Sequence, residues 1–227
     1  MDIKAALERF PLLAGAEPGA LAHAAALAEW REHAAGETVL DFDCPSTEVR
    51  FVIRGGPLRV LLRTIGGREK IVAEIGPGHF AGELAAIAGP AAPPSAGLRA
   101  VHRVRLLVLP GDAFLALVLA SPPVAHRLLA MLAERVRVQN RRLLEYAALP
   151  ARHRLCAELL RLARPRTGGG GLALSPPRSR PELAARIGAR REAVSRELAA
   201  LVREGRLECT ARAIIILDEA ALRAEVE

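Results

Sequence analysis

The sequence predicts an α+β protein in three parts. These are an antiparallel β-sandwich or jelly-roll over residues 1–121, a long helix over 122–149, and a helical unit closed by a β-hairpin over 150–227. Three observations carry this reading. Residues 31–109 break into short apolar runs separated by glycine-bearing turns, the texture of packed antiparallel strands. From Val124 to Ala148 no glycine or proline interrupts the chain, and Pro122 stands where a helix begins. Residues 179–206 hold two apolar stripes of helical period on either side of Gly188, a residue suited to a sharp turn.

A chain of 227 residues with 51% apolar content is long enough to bury two modest cores, which excludes a disordered chain. Its net charge is +7, and residues 150–227 hold 15 arginines against 10 acidic residues, so +5 lies in that third. An arginine-rich basic segment suits a polyanionic partner, because the guanidinium fork matches phosphate and guanine edges. Residues 1–10 lack the pattern of a signal peptide and no apolar run reaches bilayer length, so a cytoplasmic protein without membrane association is expected. Cys44, Cys156 and Cys209 are widely spaced and form no CxxC pair, which points away from a disulfide framework or a cysteine metal cluster.

Two short amphipathic helices are expected up to Trp30, separated by residues 11–19. The glycine pairs at 55–56 and 66–67 are expected to form tight turns. Residues 79–97 depart from the strand pattern and predict a short helix followed by a proline-rich loop. In the long helix, Ala125, Leu129, Leu132, Val136, Gln139, Leu143 and Tyr146 follow one another at alternating spacings of four and three. That is a heptad seam, and from Leu129 onward its residues are the expected contacts of a two-stranded dimer helix, with polar Gln139 fixing the register. Arg135, Arg137, Arg141 and Arg142 make the flanks of this helix basic.

Beyond Pro150 the pattern gives a helix over 152–163, a glycine-rich loop over 167–171, the two-helix unit, two short strands with a turn near 211–213, and a terminal helix. Three helices followed by a hairpin is the order of a winged helix-turn-helix. In the second helix of the pair, Val194, Leu198 and Leu201 form the buried face. Arg191, Glu192, Ser195 and Arg196 lie off that face, with Arg180 and Arg190 as further basic candidates. Arginine supplies donors for guanine O6 and N7, and glutamate an acceptor for cytosine N4, in the major groove of double-stranded DNA.

This order of parts resembles the CRP/FNR superfamily of bacterial transcription regulators over essentially the whole chain. The residues that carry the resemblance are PGHFAGEL at 77–84 and ELAARIGARREAVSREL at 182–198. The first portion is then similar to a cyclic-nucleotide-binding domain. Arg191, Glu192 and Arg196 fall where cyclic-AMP-type members carry base-reading residues, and Ser195 where fumarate/nitrate-type members carry a base-reading serine. The resemblance implies a homodimer, two recognition helices about 34 Å apart in successive major grooves, and a palindromic operator with GTG-like half-sites. RNA polymerase is a candidate partner. It also implies that an effector would act by changing the hinge near residues 149–150.

The resemblance weakens at the sensor. In cyclic-nucleotide-binding members, Gly-Glu-Leu opens a short helix whose N–H groups face the cyclic phosphate, the glutamate takes the ribose hydroxyl, and a later arginine neutralises the phosphate. Gly82, Glu83, Leu84 and Ser95 are the matching effector candidates here, but Pro94 stands where the arginine is expected. Proline offers neither charge nor N–H to an anion. Cyclic AMP is therefore not expected to control the protein, Glu83 is expected to serve as a structural cap, and the effector is left open. No cysteine precedes Cys44 to hold an iron–sulfur cluster, and the six histidines lack ligand spacing, so no cofactor is predicted. No nucleophile elbow, phosphate-binding glycine loop or zinc motif points to an enzyme. The competing class is a ligand-sensing interaction module without specific DNA binding.

Overall fold

The computed structural model describes residues 2–44, 46–67, 69–91, 96–166 and 170–226. The chain divides into two units, Met1–Val136 and Arg137–Glu227. The first opens with α1 (Ile3–Leu7), a 3-10 turn at Pro11–Leu13, and α2 (Pro18–Leu27). Strands follow as β1 (Glu29–His33), β2 (Thr38–Leu40), β3 (Val49–Gly55), β4 (Leu58–Arg63), β5 (Glu69–Ile75) and β6 (Phe80–Ala81). After α3 (Glu83–Ala88) come β7 (Gly97–Ala100), β8 (Val104–Leu109), α4 (Gly111–Leu119) and the long helix α5 (Pro122–Ala148). The strands form two antiparallel sheets, in the orders β1-β8-β3-β6 and β2-β7-β4-β5.

Strand β8 is apolar almost without alternation because both its faces are covered. Leu106 and Val108 join Val52, Leu58 and Leu98 in the core shared by the two sheets. Leu107 and Leu109 face the other way, into a core with α1, α2, α4 and the start of α5. Four phenylalanines fasten this second core: Phe51 lies 4.8 Å from Phe10 and 6.3 Å from Phe114, which lies 6.1 Å from Phe80. Such ring pairs add favourable edge and offset contacts to their burial.

Two local expectations need adjustment and one holds. The second helix stops at Leu27, and Trp30 lies in β1 opposite Leu107. Pairing with a strand buried on both faces outweighs the helix propensity of the alanine-rich run before it. Gly66–Gly67 does close a hairpin, with the Gly67 N–H donating to Thr64 O at 2.8 Å between the paired strands β4 and β5. Gly55–Gly56 instead forms a corner, because β3 and β4 belong to different sheets. A Cβ on Gly55 would stand 2.2 Å from the Arg103 carbonyl oxygen, so close backbone approach demands glycine there.

The second unit holds the end of α5, then α6 (Ala151–Leu162), β9 (Arg164–Pro165), β10 (Leu172–Leu174), α7 (Arg180–Ile187), α8 (Arg191–Arg203), β11 (Leu207–Cys209), β12 (Ile214–Ile216) and α9 (Glu219–Ala224). Its sheet runs β11-β12-β10-β9, so the expected hairpin gains two further strands. Those strands are three and two residues long, too short to show a period in sequence. Most of the glycine-rich loop, residues 167–169, lies outside the described residues. Leu155, Leu159, Leu183, Ile187, Val194, Leu198, Leu201 and Ile216 close the core.

The division between units falls inside α5. Val124 and Leu128 are buried in the first core, while Glu145 and Tyr146 bond to α6 and α7. No single helix among the described residues is long and apolar enough to cross a membrane, although α4 and α5, bent by 114°, reach that length and composition as a pair.

Cys156 is fully buried in the second core, and burial pushes its thiol up to about 11. A thiol titration at about pH 8 should therefore modify exposed Cys44 in the native protein and Cys156 only after unfolding. Equal native rates at Cys44 and Cys156 would contradict this packing.

Candidate nucleic-acid interface and sensor cassette

Local chemistry fixes where α8 starts and which side it shows. The Ser179 hydroxyl oxygen accepts the Glu182 N–H at 3.3 Å and caps α7, with Pro181 in the first turn. Gly188 ends α7 in the left-handed region, at φ 63°, and lets the chain turn within two more residues into α8. Val194, Leu198 and Leu201 then anchor α8, at 1%, 4% and 0% exposure.

With about 100° per residue, Arg191, Ser195, Glu192 and Arg196 follow one another around a single arc beside that buried face. Arg191, Glu192 and Arg196 are exposed, and Ser195 is half-buried. Arg190 and Arg180 are also exposed, at the cap of α8 and the first position of α7. None of these five charged side chains makes a hydrogen bond or ion pair among the described residues. Other arginines of this unit are engaged with carboxylates: Arg152 with Glu204, Arg206 with Glu225, and Arg223 with Glu219. The exposed Arg212 lies in the turn between β11 and β12, a position that periodicity did not single out.

A chain of alternating charges sets the platform beneath α8. Glu145 accepts from Arg161 at 2.7 Å, Arg161 donates to Glu158 at 3.0 Å, and Glu158 lies 3.5 Å from Arg186. Arg186 in turn lies 3.3 Å from Glu182. The Tyr146 hydroxyl donates to the Arg186 carbonyl oxygen at 2.7 Å. Tyr146, placed in the heptad seam by its spacing, thus commits its hydroxyl within its own chain; burial holds it above the usual phenol range. The other seam residues divide. Leu129, Val136 and Leu143 are 65%, 58% and 67% exposed, Gln139 is exposed, and Leu132 is half-buried against the first core.

In the sensor cassette, Gly82 is the N-cap of α3 at φ 103°, and a Cβ there would stand 2.1 Å from the Glu48 carbonyl oxygen. The glycine therefore has a structural cause independent of any ligand. Glu83 does not act as a cap. It is 2% exposed, its Oε1 accepts from Arg135 Nη1 on α5, and its Oε2 is buried without a partner among the described residues. Leu84 is 45% exposed. Arg99, the first described arginine beyond the cassette, is held by both oxygens of Glu69 at 2.9 Å. Ser95, with Pro93 and Pro94, lies outside the described residues.

The Glu83 carboxylate depends on Arg135. Arg135→Ala should leave it buried and unpaired and lower the stability of the first unit by about 3–5 kcal/mol, read from denaturant unfolding. Adding Glu83→Gln to that variant should restore part of the loss. An unchanged midpoint in Arg135→Ala would contradict the pairing.

Comparison with known proteins agrees with both halves of this description. The family profile of the Crp-like helix-turn-helix domain matches residues 153–225, and that of the cyclic nucleotide-binding domain matches residues 30–121. The cyclic AMP receptor protein of Thermus thermophilus is 36% identical over 155 residues, 68% of each chain. A CRP-like cAMP-activated global transcriptional regulator of Mycobacterium tuberculosis is 28% identical over 95% of this chain and 96% of its own. Among solved structures, the c-di-GMP responsive global regulator CLP of Xanthomonas campestris superposes with a TM-score of 0.74, at 22% identity, over 89% of this chain and 100% of that one. With a sandwich bearing the cassette, a long helix, and a winged helix-turn-helix that shows unpaired arginines, the chain belongs to the CRP/FNR family of DNA-binding transcription regulators.

Proposed function

We propose that this regulator reads its operator through Arg191, Glu192, Ser195 and Arg196 of α8, with Arg180, Arg190 and Arg212 contacting phosphates. The observation that carries the assignment is the contrast in pairing. Arginines that hold the unit together are neutralised by carboxylates, whereas those of the α8 arc are exposed and make no ion pair among the described residues. Unneutralised guanidiniums on one helix face match the edges of guanine and the phosphate backbone.

The active species in this reading is a homodimer joined along α5. Leu129, Val136 and Leu143 recur every seven residues and are largely exposed in the single chain, which supports a seam filled by a second copy. Two copies of α8 then face an inverted repeat, and RNA polymerase is the partner through which a bound dimer changes transcription in the cytoplasm. The protein acts by binding and not by catalysis.

Cyclic AMP is not the controlling effector in this reading, although relatives are described as activated by it. Pro94 takes the place of the phosphate-binding arginine, Arg99 is held by Glu69, and Glu83 Oε1 already accepts from Arg135. Losing a charge-assisted contact to phosphate removes much of such a ligand's affinity.

Gel retardation with genomic operator fragments against random competitor tests these assignments. Arg191→Ala or Arg196→Ala should cost roughly 1–3 kcal/mol per half-site and relax the preference for a guanine. Cyclic AMP should leave the affinity of the unaltered protein unchanged. Equal weakening on operator and random DNA would reassign these arginines to phosphate, and absence of any preference across a salt series would favour an interaction module over a regulator.

A further inference from the structure

In the sheet of order β1-β8-β3-β6, strands β1, β8 and β3 lie side by side, and their register sets Glu32 opposite Arg105 and Arg105 opposite Arg54. Arg103, just before β8, donates to Glu32 at 2.7 Å, and Arg105 Nε lies 3.8 Å from the other oxygen of the same carboxylate. One glutamate thus serves two guanidiniums, with a third, Arg54, set beside Arg105 and out of its reach. Arg105 lies over the Trp30 ring at 4.2 Å, and its buried Nε donates no hydrogen bond among the described residues. Arg54 is exposed and makes neither a hydrogen bond nor an ion pair among them. Like charges set opposite each other on antiparallel strands are destabilising. The sheet therefore carries an uncompensated positive charge that packing does not require. Together these side chains line a groove of about 360 Å³.

We propose that this groove docks an acidic segment of a protein partner, whose carboxylates engage the guanidiniums of Arg54 and Arg105. Glu32 already presents the geometry such a carboxylate would take, since its own oxygens sit against Arg103 and Arg105. Its negative charge, central in the groove, opposes a phosphodiester chain or a dianionic phosphate more than it opposes spaced, singly charged carboxylates. The groove is lined by three neighbouring strands, which suits an extended segment whose alternate side chains reach down. The site uses none of the residues of the α8 arc or the cassette.

The test uses the full chain and a fluorescein-labelled peptide of alternating Glu and Ser, followed by anisotropy at about 0.15 M salt. Saturable binding is expected, weakened about tenfold in the double variant Arg54→Gln/Arg105→Gln, as for the loss of two partly exposed ion pairs. Glu32→Gln should bind the peptide more tightly than the unaltered protein, because a competing carboxylate is gone. Operator affinity should be unchanged in every variant. No saturable binding, equal affinity in the double variant, or weaker binding by Glu32→Gln would overturn the proposal. So would displacement of the peptide by inorganic phosphate or random duplex DNA at lower concentration than by unlabelled peptide.

Discussion

The orientation of α8 depends on a buried arginine. Arg186 is 5% exposed on α7, and its charge is tolerated there because Glu158 and Glu182 flank it. Removing either carboxylate would leave a charge in a poorly solvated place, at a cost of several kcal/mol. Apolar packing between α6 and α7 is strong but non-directional. The alternating run Glu145, Arg161, Glu158, Arg186 and Glu182 adds direction, because its two links between helices, Glu145–Arg161 and Glu158–Arg186, tolerate little rotation of one helix on the next. With α7 fixed and Gly188 setting the turn, the face that α8 offers follows. The end of α5 is tied into the same network through Glu145 and Tyr146.

The sensor unit places its constraint differently. Its central strands are buried on both faces, so the sandwich core and the helical core share β3 and β8. In the cassette, Gly82 is demanded by the Glu48 carbonyl, and Glu83 reaches across to Arg135 on the long helix. The cassette and α5 are thus joined by the protein's own charges, where the sequence predicted that Glu83 would cap its own helix. The glycine and the glutamate of this motif each have a structural role inside the chain.

Much of this was legible in the sequence wherever the signal is a local period. The buried stripe of Val194, Leu198 and Leu201, the turn at Gly188, the exposed arc from Arg191 to Arg196 and the seven-residue spacing on α5 all express helical geometry within a few turns. What escaped is set by partners distant along the chain. The two- and three-residue strands β9 and β10 exist because β12 pairs with the second of them. Gly55 is needed because of Arg103, Trp30 joins a strand because of Leu107, and Glu83 is buried with Arg135. No period marks such pairs. Nor could spacing tell that Tyr146, in phase with the seam, would direct its hydroxyl to Arg186.

The central claim is that exposed, unpaired side chains on α8 read a specific site as a pair. Selection of bound duplexes from a pool of random sequence tests it most directly, since it presumes neither the operator nor an effector. The account predicts enrichment of an inverted repeat whose half-sites contain guanine and lie about one helical turn apart, with the guanine preference lost in Arg196→Ala. Retention of the pool without enrichment of any sequence, or enrichment that Arg191→Ala and Arg196→Ala leave unaltered, would contradict it.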